Sequence, residues 1–453
     1  MELNGKRVLV LGLGRSGLAS ALFLKSQGAQ VTVSDAKSED QLRDHIPSLL
    51  DEGIAVETGG HSQRTLQKQD LVVVSPGVPF DAPPLVQARN LGQPVIGEIE
   101  LASQVIKGKI VAITGSNGKT TTTTLVGVIL SAGGLKTLVG GNIGTPAISL
   151  AAESTTDTVT VLEVSSFQLE TISSFCPKVA VVLNITPDHL DRHRTFAAYV
   201  NAKARIFENQ TPEDFAVLNA DDRTCVEIAD RTRARVFWFS RKRELDAGAF
   251  VRAGQIIFAG KGPAQEIMTI AEIPLKGAHN LENVLAAVCA GALMGCGAEK
   301  IRAAVRTFKA VEHRLEYVAT VRGVEYYNDS KATNVDATVK ALESFPANIH
   351  LILGGKDKGS DYTVLNDLLR QRVKSVYTIG AAAEKIQSHI KGAANVVSSG
   401  TIESAVKHAA SSAQPGDIVL LAPACASFDQ FQNYEHRGRV FKELVHDLAA
   451  RTN

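Results

Sequence analysis

Ile110-Val111-Ala112-Ile113-Thr114 reads as a buried strand. It runs without a break into Gly115-Ser116-Asn117-Gly118-Lys119-Thr120, and Thr121 to Leu130 then continues as an apolar helical stretch. Strand, glycine loop, lysine and hydroxyl at a helix start form the context that a nucleotide phosphate site needs. Glycines let backbone N–H groups converge on the phosphates, and the helix N-terminus adds a partial positive charge. Lys119 is placed to neutralise the β and γ phosphates, and the Thr120 hydroxyl to reach Mg2+. The strict pattern has glycine where this chain has Ile113, so an ordinary βα turn with a surface lysine is the competing reading.

The rest of the chain repeats the alternation of strand and helix. Strand-like runs are Lys6 to Gly12, Gln30 to Asp35, Leu71 to Gly77, Thr158 to Val164, Val179 to Asn184, Phe215 to Asn219, Gly323 to Asp329, His350 to Gly355, Ser375 to Gly380 and Asp417 to Pro423. The class is therefore α/β with mostly parallel sheets. Arg235 to Ile273 reads as a small β insert with glycine turns. At about 150 residues per domain, 453 residues predict three domains. The divisions expected are 1–106, 107–311 and 312–453. A formal net charge of +1, from 48 basic and 47 acidic residues, gives no reason to expect a nucleic-acid partner. Five cysteines without a CxxC pair suit reduced thiols and a cytosol. Lys6-Arg7 before Val8 to Gly14 imitates a signal peptide, but Arg15 interrupts the run and no small-residue cleavage site follows. No stretch reaches the ~18 uncharged apolar residues of a membrane span, so no membrane partner and a cytoplasmic location are expected.

Gly12-x-Gly14-x-x-Gly17 follows the first strand and opens a helix, and Asp35 sits 18 residues beyond Gly17 at the end of the next strand. That is a dinucleotide fingerprint in its proper context. Alone it suggests a dehydrogenase, yet a glycine loop cradles any diphosphate and the carboxylate can accept from any sugar or base. A UDP group satisfies it equally well, and a purely structural turn remains open.

Several segments together resemble the Mur ligases along essentially the whole chain. They are Gly115 to Thr121, whose short loop form is that family's own; Glu163-Val164-Ser165-Ser166-Phe167-Gln168-Leu169-Glu170; Asn184-Ile185-Thr186-Pro187-Asp188-His189 with Lys203 downstream; and, late in the chain, Asn328 to Asn334, Gly354 to Lys358 and Ala424 to Phe431. Gly277-Ala278-His279-Asn280 with Asn283, and Glu312-His313-Arg314, fit as well, although Asn280 also reads as a helix cap. The resemblance implies a Rossmann-like N-terminal domain for the UDP moiety, a central P-loop ATPase-type α/β domain, and a C-terminal Rossmann-like α/β domain for the incoming amino acid.

By that resemblance, Lys119, Glu163, His189 and Lys203 are the catalytic set. Thr120, Glu163, His189 and Lys203 serve Mg2+, with two ions expected and Lys203 carbamylated. ATP contacts are Gly115, Ser116, Asn117, Gly118, Lys119, Thr120, Thr121, Asn283, Arg314 and Asp329. Substrate contacts are Gly14, Arg15, Ser16, Gly17, Asp35, Gly77, Asn142, Ser165 and Gln168, then Lys331, Thr333, Lys358, Ser427, Phe428 and Tyr434. The late segments resemble the branch of the family that adds D-glutamate to UDP-N-acetylmuramoyl-L-alanine through an acyl phosphate, during peptidoglycan precursor synthesis. Lys358 supplies charge for a dicarboxylic amino acid, and Thr333 and Ser427 supply donors. A monomer is expected. Cys425 beside Ser427 reads as a buried small residue, because no His–Asp pattern supports a nucleophile. Another ATP-dependent amide ligase, such as a folate polyglutamate-type enzyme or a different Mur member, an NAD-linked dehydrogenase and a non-catalytic nucleotide-binding protein are the rivals. The phosphate loop and Glu163 leave the dehydrogenase reading incomplete, and the paired metal ligands speak against a mere binding module.

Overall fold

Three sheets, built mostly of parallel strands, carry the chain. The computed structural model describes residues 2–67, 69–260, 262–275, 277–309 and 311–450. It divides into one unit of Met1–Ile185, Thr195–Ile270 and Asn283–Arg306, and another of Thr186–Arg194, Ala271–Glu282 and Thr307–Asn453.

The first unit holds two sheets. In the first, β1 (Arg7–Leu11), β2 (Gln30–Ser34), β3 (Ala55–Glu57), β4 (Leu71–Val74) and β5 (Val95–Gly97) run in the order β3-β2-β1-β4-β5, all parallel. Val8 to Leu11 are fully buried, which is why this strand reads as an unbroken apolar run instead of an alternation. The chain leaves β1 toward β2 and β3 and later returns on the other side as β4 and β5. Such a reversal opens a crevice at the carboxyl ends of β1 and β4.

The second sheet contains β6 (Lys109–Thr114), β7 (Lys136–Gly141), β8 (Thr158–Glu163), β9 (Val179–Val182), β10 (Phe215–Asn219), β11 (Arg235–Ser240), β12 (Gly248–Arg252), β13 (Gln255–Ala259) and β14 (Gln265–Thr269). Its order is β14-β13-β12-β11-β10-β9-β6-β8-β7, and only β12–β13 and β13–β14 pair antiparallel. The segment read as a β insert is thus an extension of this sheet. β11 pairs parallel with β10, and Phe237 packs edge-on to Phe215 at 5.7 Å and stacks on Phe258 at 6.4 Å. Lys261 of that segment lies outside the described residues. One buried cluster joins the two sheets, running from Val8 and Val10 through Ile99 and Ile148 to Ala112 and Leu162.

In the second unit, β15 (Glu316–Val321), β16 (Val324–Asn328), β17 (Ile349–Gly354), β18 (Val373–Ile379), β19 (Asn395–Gly400) and β20 (Ile418–Leu421) run β15-β16-β20-β17-β18-β19. Only β15–β16 is antiparallel. β16, β20 and β17 lie side by side, so the loops leaving their carboxyl ends come together although about 90 residues separate the first from the last. Among the described residues no helix is long and apolar enough to cross a membrane.

Candidate active site

β6 delivers the glycine loop to the start of helix Lys119–Ala132. Gly115 and Gly118 take φ of 150° and 85°. A Cβ on Gly118 would collide with the Asn283 carboxamide, and one on Gly115 would press on Leu183 and Asn184. Both positions therefore need glycine for its dihedral freedom and for space. Asn184, just beyond β9, clamps the loop between them. Its carbonyl accepts from Ser116 N–H at 2.9 Å, its Oδ1 accepts from Asn117 N–H at 2.8 Å, and its Nδ2 donates back to Asn117 O at 3.1 Å. Ser116 Oγ lies 3.1 Å from the Tyr199 hydroxyl. Lys119 Nζ folds over the loop, donating to the Gly115 and Ser116 carbonyls at 2.9 Å each. Lys203 is 1% exposed, and its Nζ donates to Gly115 O at 2.8 Å from beside the Tyr199 ring. Thr120 and Thr121 are buried in the first helical turn.

Glu163 ends β8, next to β6, and is 1% exposed. Thr120 Oγ1 donates to its Oε2 at 2.8 Å and Asn142 Nδ2 to its Oε1 at 2.9 Å. A buried hydroxyl and carboxylate at the foot of a phosphate loop are the hard oxygen donors that Mg2+ takes, so these residues fit that ion.

A cavity of about 850 Å3 opens at the crevice of the first sheet, within the ~300–1,000 Å3 of small-molecule sites. Gly14, Arg15 and Ser16 line it from the loop after β1, Asp35 from after β2, Gly77 from after β4, and Asn142, Gly144 and Gln168 from the side of the second sheet. Asp35 uses its carboxylate on the chain itself, accepting from Leu13 N–H at 2.6 Å and Lys37 N–H at 2.8 Å. It thereby fixes the glycine loop. Arg15 donates to the Gly144 carbonyl across the cavity. Gly17 is not part of the lining. A Cβ there would strike Gly12 O and Ser75 Oγ, so it serves the close approach of helix Arg15–Ser26 to the strands. Ser165 and Gln168 form a reciprocal cap on helix Ser166–Leu169, with Ser165 N–H donating to Gln168 Oε1 at 2.9 Å.

Glu98 escaped the sequence reading. It is 1% exposed, and its Oε1 accepts from Ile148 N–H at 2.8 Å. Burial pushes its carboxyl up to about 7, against the lowering effect of that N–H and of the Gln168 side chain. Asn184 opens the segment 184–189, but nothing in its sequence marks it as the residue that holds the glycine loop.

In the second unit, the loops after β16, β20 and β17 bring together the late segments. Burial pushes the Asp329 carboxyl up to about 6, against the nearby Arg314 charge and the Leu315 N–H. Arg314 Nε is buried without a hydrogen-bond partner among the described residues. Lys331 Nζ donates to the Tyr434 hydroxyl at 2.9 Å. Thr333 is half-buried, Ser427 is buried, and Phe428 is 68% exposed. Lys356 and Ala426 exchange backbone hydrogen bonds of 2.8 and 3.1 Å, joining the loops after β17 and β20. Lys358, expected to offer its charge to a ligand, lies 3.6 Å from Asp188 Oδ1. Asp188 also accepts from Asn334 Nδ2 at 2.9 Å and stands 3.6 Å from His189 Nε2. His189 takes φ of 53°. Cys425 is fully buried and its thiol is pushed up to about 11 by burial, so it stays protonated and is no nucleophile. Glu312, His313 and Glu316 cluster at the spacing of metal ligands, but the Lys442 ammonium already bridges the two carboxylates at 2.9 and 2.6 Å.

Three family models match in succession: the MurD-like N-terminal domain over 6–97, the Mur ligase middle domain over 113–291 and the Mur ligase glutamate ligase domain over 313–425. A UDP-N-acetylmuramoylalanine--D-glutamate ligase of Koribacter versatilis is 66% identical, with 99% of each chain covered. The protein of the same name from Acidobacterium capsulatum is 61% identical over 98% of this chain and 97% of its own. A solved pseudomurein peptide ligase type C from Methanothermus fervidus shares the fold, with a TM-score of 0.62 at 22% identity over 98% of this chain and all of its own. The chain belongs to the Mur ligase family of ATP-dependent, amide-bond-forming enzymes.

Proposed function

We propose that this enzyme joins D-glutamate to UDP-N-acetylmuramoyl-L-alanine at the expense of ATP, in peptidoglycan precursor synthesis in the cytoplasm. The observation that carries this reading is the position of Glu163. One of its oxygens is held by Thr120 of the phosphate loop, the other by Asn142 of the cavity wall. A nucleotide on the loop and an acid in the cavity would meet at that carboxylate. The names borne by the relatives supply the two substrates.

The chemistry needs activation because oxide is a hopeless leaving group. A carboxylate oxygen of the L-alanine unit attacks the γ-phosphorus, ADP departs, and an acyl phosphate results. The amine of D-glutamate then attacks the acyl carbon, and phosphate leaves from the tetrahedral intermediate as the nitrogen loses its proton. The protein's part is positioning and charge neutralisation. In this reading Gly115 to Thr121 cradle the phosphates, Lys119 turns from its loop carbonyls to the β and γ oxygens, Asn283 lies on the adenine side, and Arg314 and Asp329 complete the nucleotide contacts. Thr120, Glu163, His189 and a carbamylated Lys203 would hold two Mg2+ ions, which would supply positive charge against that of the phosphates. Gly14, Arg15, Ser16, Asp35, Gly77, Asn142, Ser165 and Gln168 serve the UDP-linked substrate, Gly17 acts on it only by letting helix Arg15–Ser26 approach the strands, and Lys331, Thr333, Lys358, Ser427, Phe428 and Tyr434 serve the amino acid. Domains of 1–106, 107–311 and 312–453 divide these tasks, and a monomer suffices.

The test is phosphate release from ATP and Mg2+ with UDP-N-acetylmuramoyl-L-alanine, with and without D-glutamate, using L-glutamate and D-alanine as controls. Release that requires D-glutamate supports the reading. Release with a different amino acid keeps the ligase and overturns the acceptor.

A further inference from the structure

Arg437 has no part in the reading above, yet it is the largest fully buried side chain among the described residues. It sits in the first turn of helix Tyr434–Ala450. Residues 434, 437, 438 and 441 share one face of that helix, and each meets the sheet end. Tyr434 O accepts from Ser330 Oγ at 2.8 Å, Gly438 O accepts from Asn328 Nδ2 at 3.4 Å, and Phe441 is fully buried in the core.

The guanidinium spends all of its donors on two loops. Nε donates to Ser330 Oγ at 2.9 Å and one terminal nitrogen to Ser330 O at 2.7 Å. Both terminal nitrogens donate to Cys425 O at 3.2 Å, with a longer contact to Ala426 O at 3.5 Å. No carboxylate is among its hydrogen-bond partners in the described residues. Its hydrogen bonds all go to neutral acceptors, and the nearby Asp429 carboxylate offsets its lost hydration only in part, because burial still pulls the guanidinium down to about 10. An apolar side chain would leave the Ser330 and Cys425 carbonyls without these donors. What guanidinium supplies instead is a rigid fork of fixed directions. Those directions hold a strained turn, since Ala424, just before Cys425, takes φ of 57° without being glycine. The third loop abuts the same group: a Cβ on Gly355 would collide with Ala426 O and come within 3.2 Å of an Arg437 terminal nitrogen.

We infer that Arg437 is a positioning residue for the acceptor amino acid, locking the loop that carries Lys331 and Thr333 to the loop that carries Ser427. The inference rests on assigning those residues and Lys358 to the acceptor. Arg437 itself has no donor left for a ligand, so its effect must pass through the loops it holds.

The experiment compares Arg437→Lys, Ser330→Ala and Lys358→Ala with the parent full-length enzyme, measuring KM for each of the three substrates together with thermal unfolding. Lysine keeps the charge but not the fork, and the expected result is a rise in KM for D-glutamate of roughly 10- to 100-fold, with KM for ATP and for the UDP-linked substrate within about twofold. Ser330→Ala removes one acceptor of the fork and should raise KM for D-glutamate by about 3- to 10-fold. A role in stability alone would lower the unfolding temperature and leave all three KM values in place. Should Arg437→Lys fail to fold, Ser330→Ala decides, and an unchanged KM for D-glutamate in that variant overturns the inference. If Lys358→Ala raises that KM while the folded Arg437 and Ser330 variants do not, positioning by Arg437 is refuted and the acceptor site stands. If none of the three moves it, the acceptor site falls and the inference with it.

Discussion

Asn184 offers the sharpest test of how the phosphate loop is held. Its carboxamide accepts from Asn117 N–H and donates to Asn117 O, so alanine removes two hydrogen bonds and leaves both Asn117 groups to find new partners. The backbone bond from Ser116 N–H to Asn184 O survives the change. Each lost bond between neutral groups is worth about 0.5–1.5 kcal/mol net, more where a buried group stays unsatisfied. Together they amount to about 1–3 kcal/mol of loop preorganisation, or roughly 5- to 150-fold. That loss falls on a loop whose proposed task is to present N–H groups to phosphate. Asn184→Ala should therefore lower kcat/KM for ATP by that factor in a phosphate-release assay with the other two substrates saturating. Asn219→Ala is the matched control. Its Nδ2 donates to Leu183 O at 3.0 Å, one residue from Asn184, but does not touch the glycine loop. It should cost stability and leave kcat/KM for ATP within about twofold. A folded Asn184→Ala enzyme with kcat/KM for ATP within twofold of the parent would refute the clamp, and so would an Asn219→Ala enzyme that matched it.

Other outcomes follow from the same geometry. Lys119→Ala removes the only cation that folds over the loop from within it, and turnover should fall at least a hundredfold, on the order of 3 kcal/mol, in the same assay. Near-normal turnover would sink the assignment of the loop. Glu98 keeps its proton in the native protein up to about pH 7, against 4.5 for an ordinary glutamate. The native state therefore binds more protons between those values, and the stability this group contributes is complete below pH 4.5 and lost as pH rises through 7. Glu98→Gln stays neutral throughout, so its unfolding temperature relative to the parent should climb by several degrees between pH 5 and pH 8, reflecting up to roughly 3 kcal/mol at ~1.4 kcal/mol per pH unit. A pH-independent difference would contradict the burial argument. Carbamylation of Lys203 predicts that activity falls several-fold in carbon-dioxide-free buffer and returns with bicarbonate, while activity indifferent to both would exclude it.

What the sequence announced and what it hid differ for physical reasons. Val8 to Leu11, Val111 to Ile113 and Leu351 to Leu353 are buried on both faces, so they read as apolar runs and their strands were legible. Most edge strands were not. β7 and β19 pair on one side only and are half-exposed along much of their length, and β3 and β5 have three residues each. The loss of β7 matters, because Asn142 follows it and ties the cavity to Glu163. The glycine loops were legible because their backbone conformation restricts residue type. The groups that hold those loops carry no such mark. An asparagine before Ile185, a glutamate opening a helix and an arginine within a charged helical turn look like surface residues until the fold buries them. Asn184 holds Asn117, Glu98 holds Ile148, and Arg437 holds Ser330 and Cys425. Apart from the Arg437 bond to Ser330 Oγ, these bonds go to backbone groups, which every residue type possesses, so the partner's identity leaves little trace in the sequence. Lys358 shows the reverse case. Its charge was legible, but its pairing with Asp188, some 170 residues earlier, was not. In this structure a dicarboxylic ligand would compete with that carboxylate for the ammonium. On the proposed assignment of Lys358 to the acceptor, the affinity of that site would be a difference between two ion pairs, with Asp188 as much a determinant of it as the lysine.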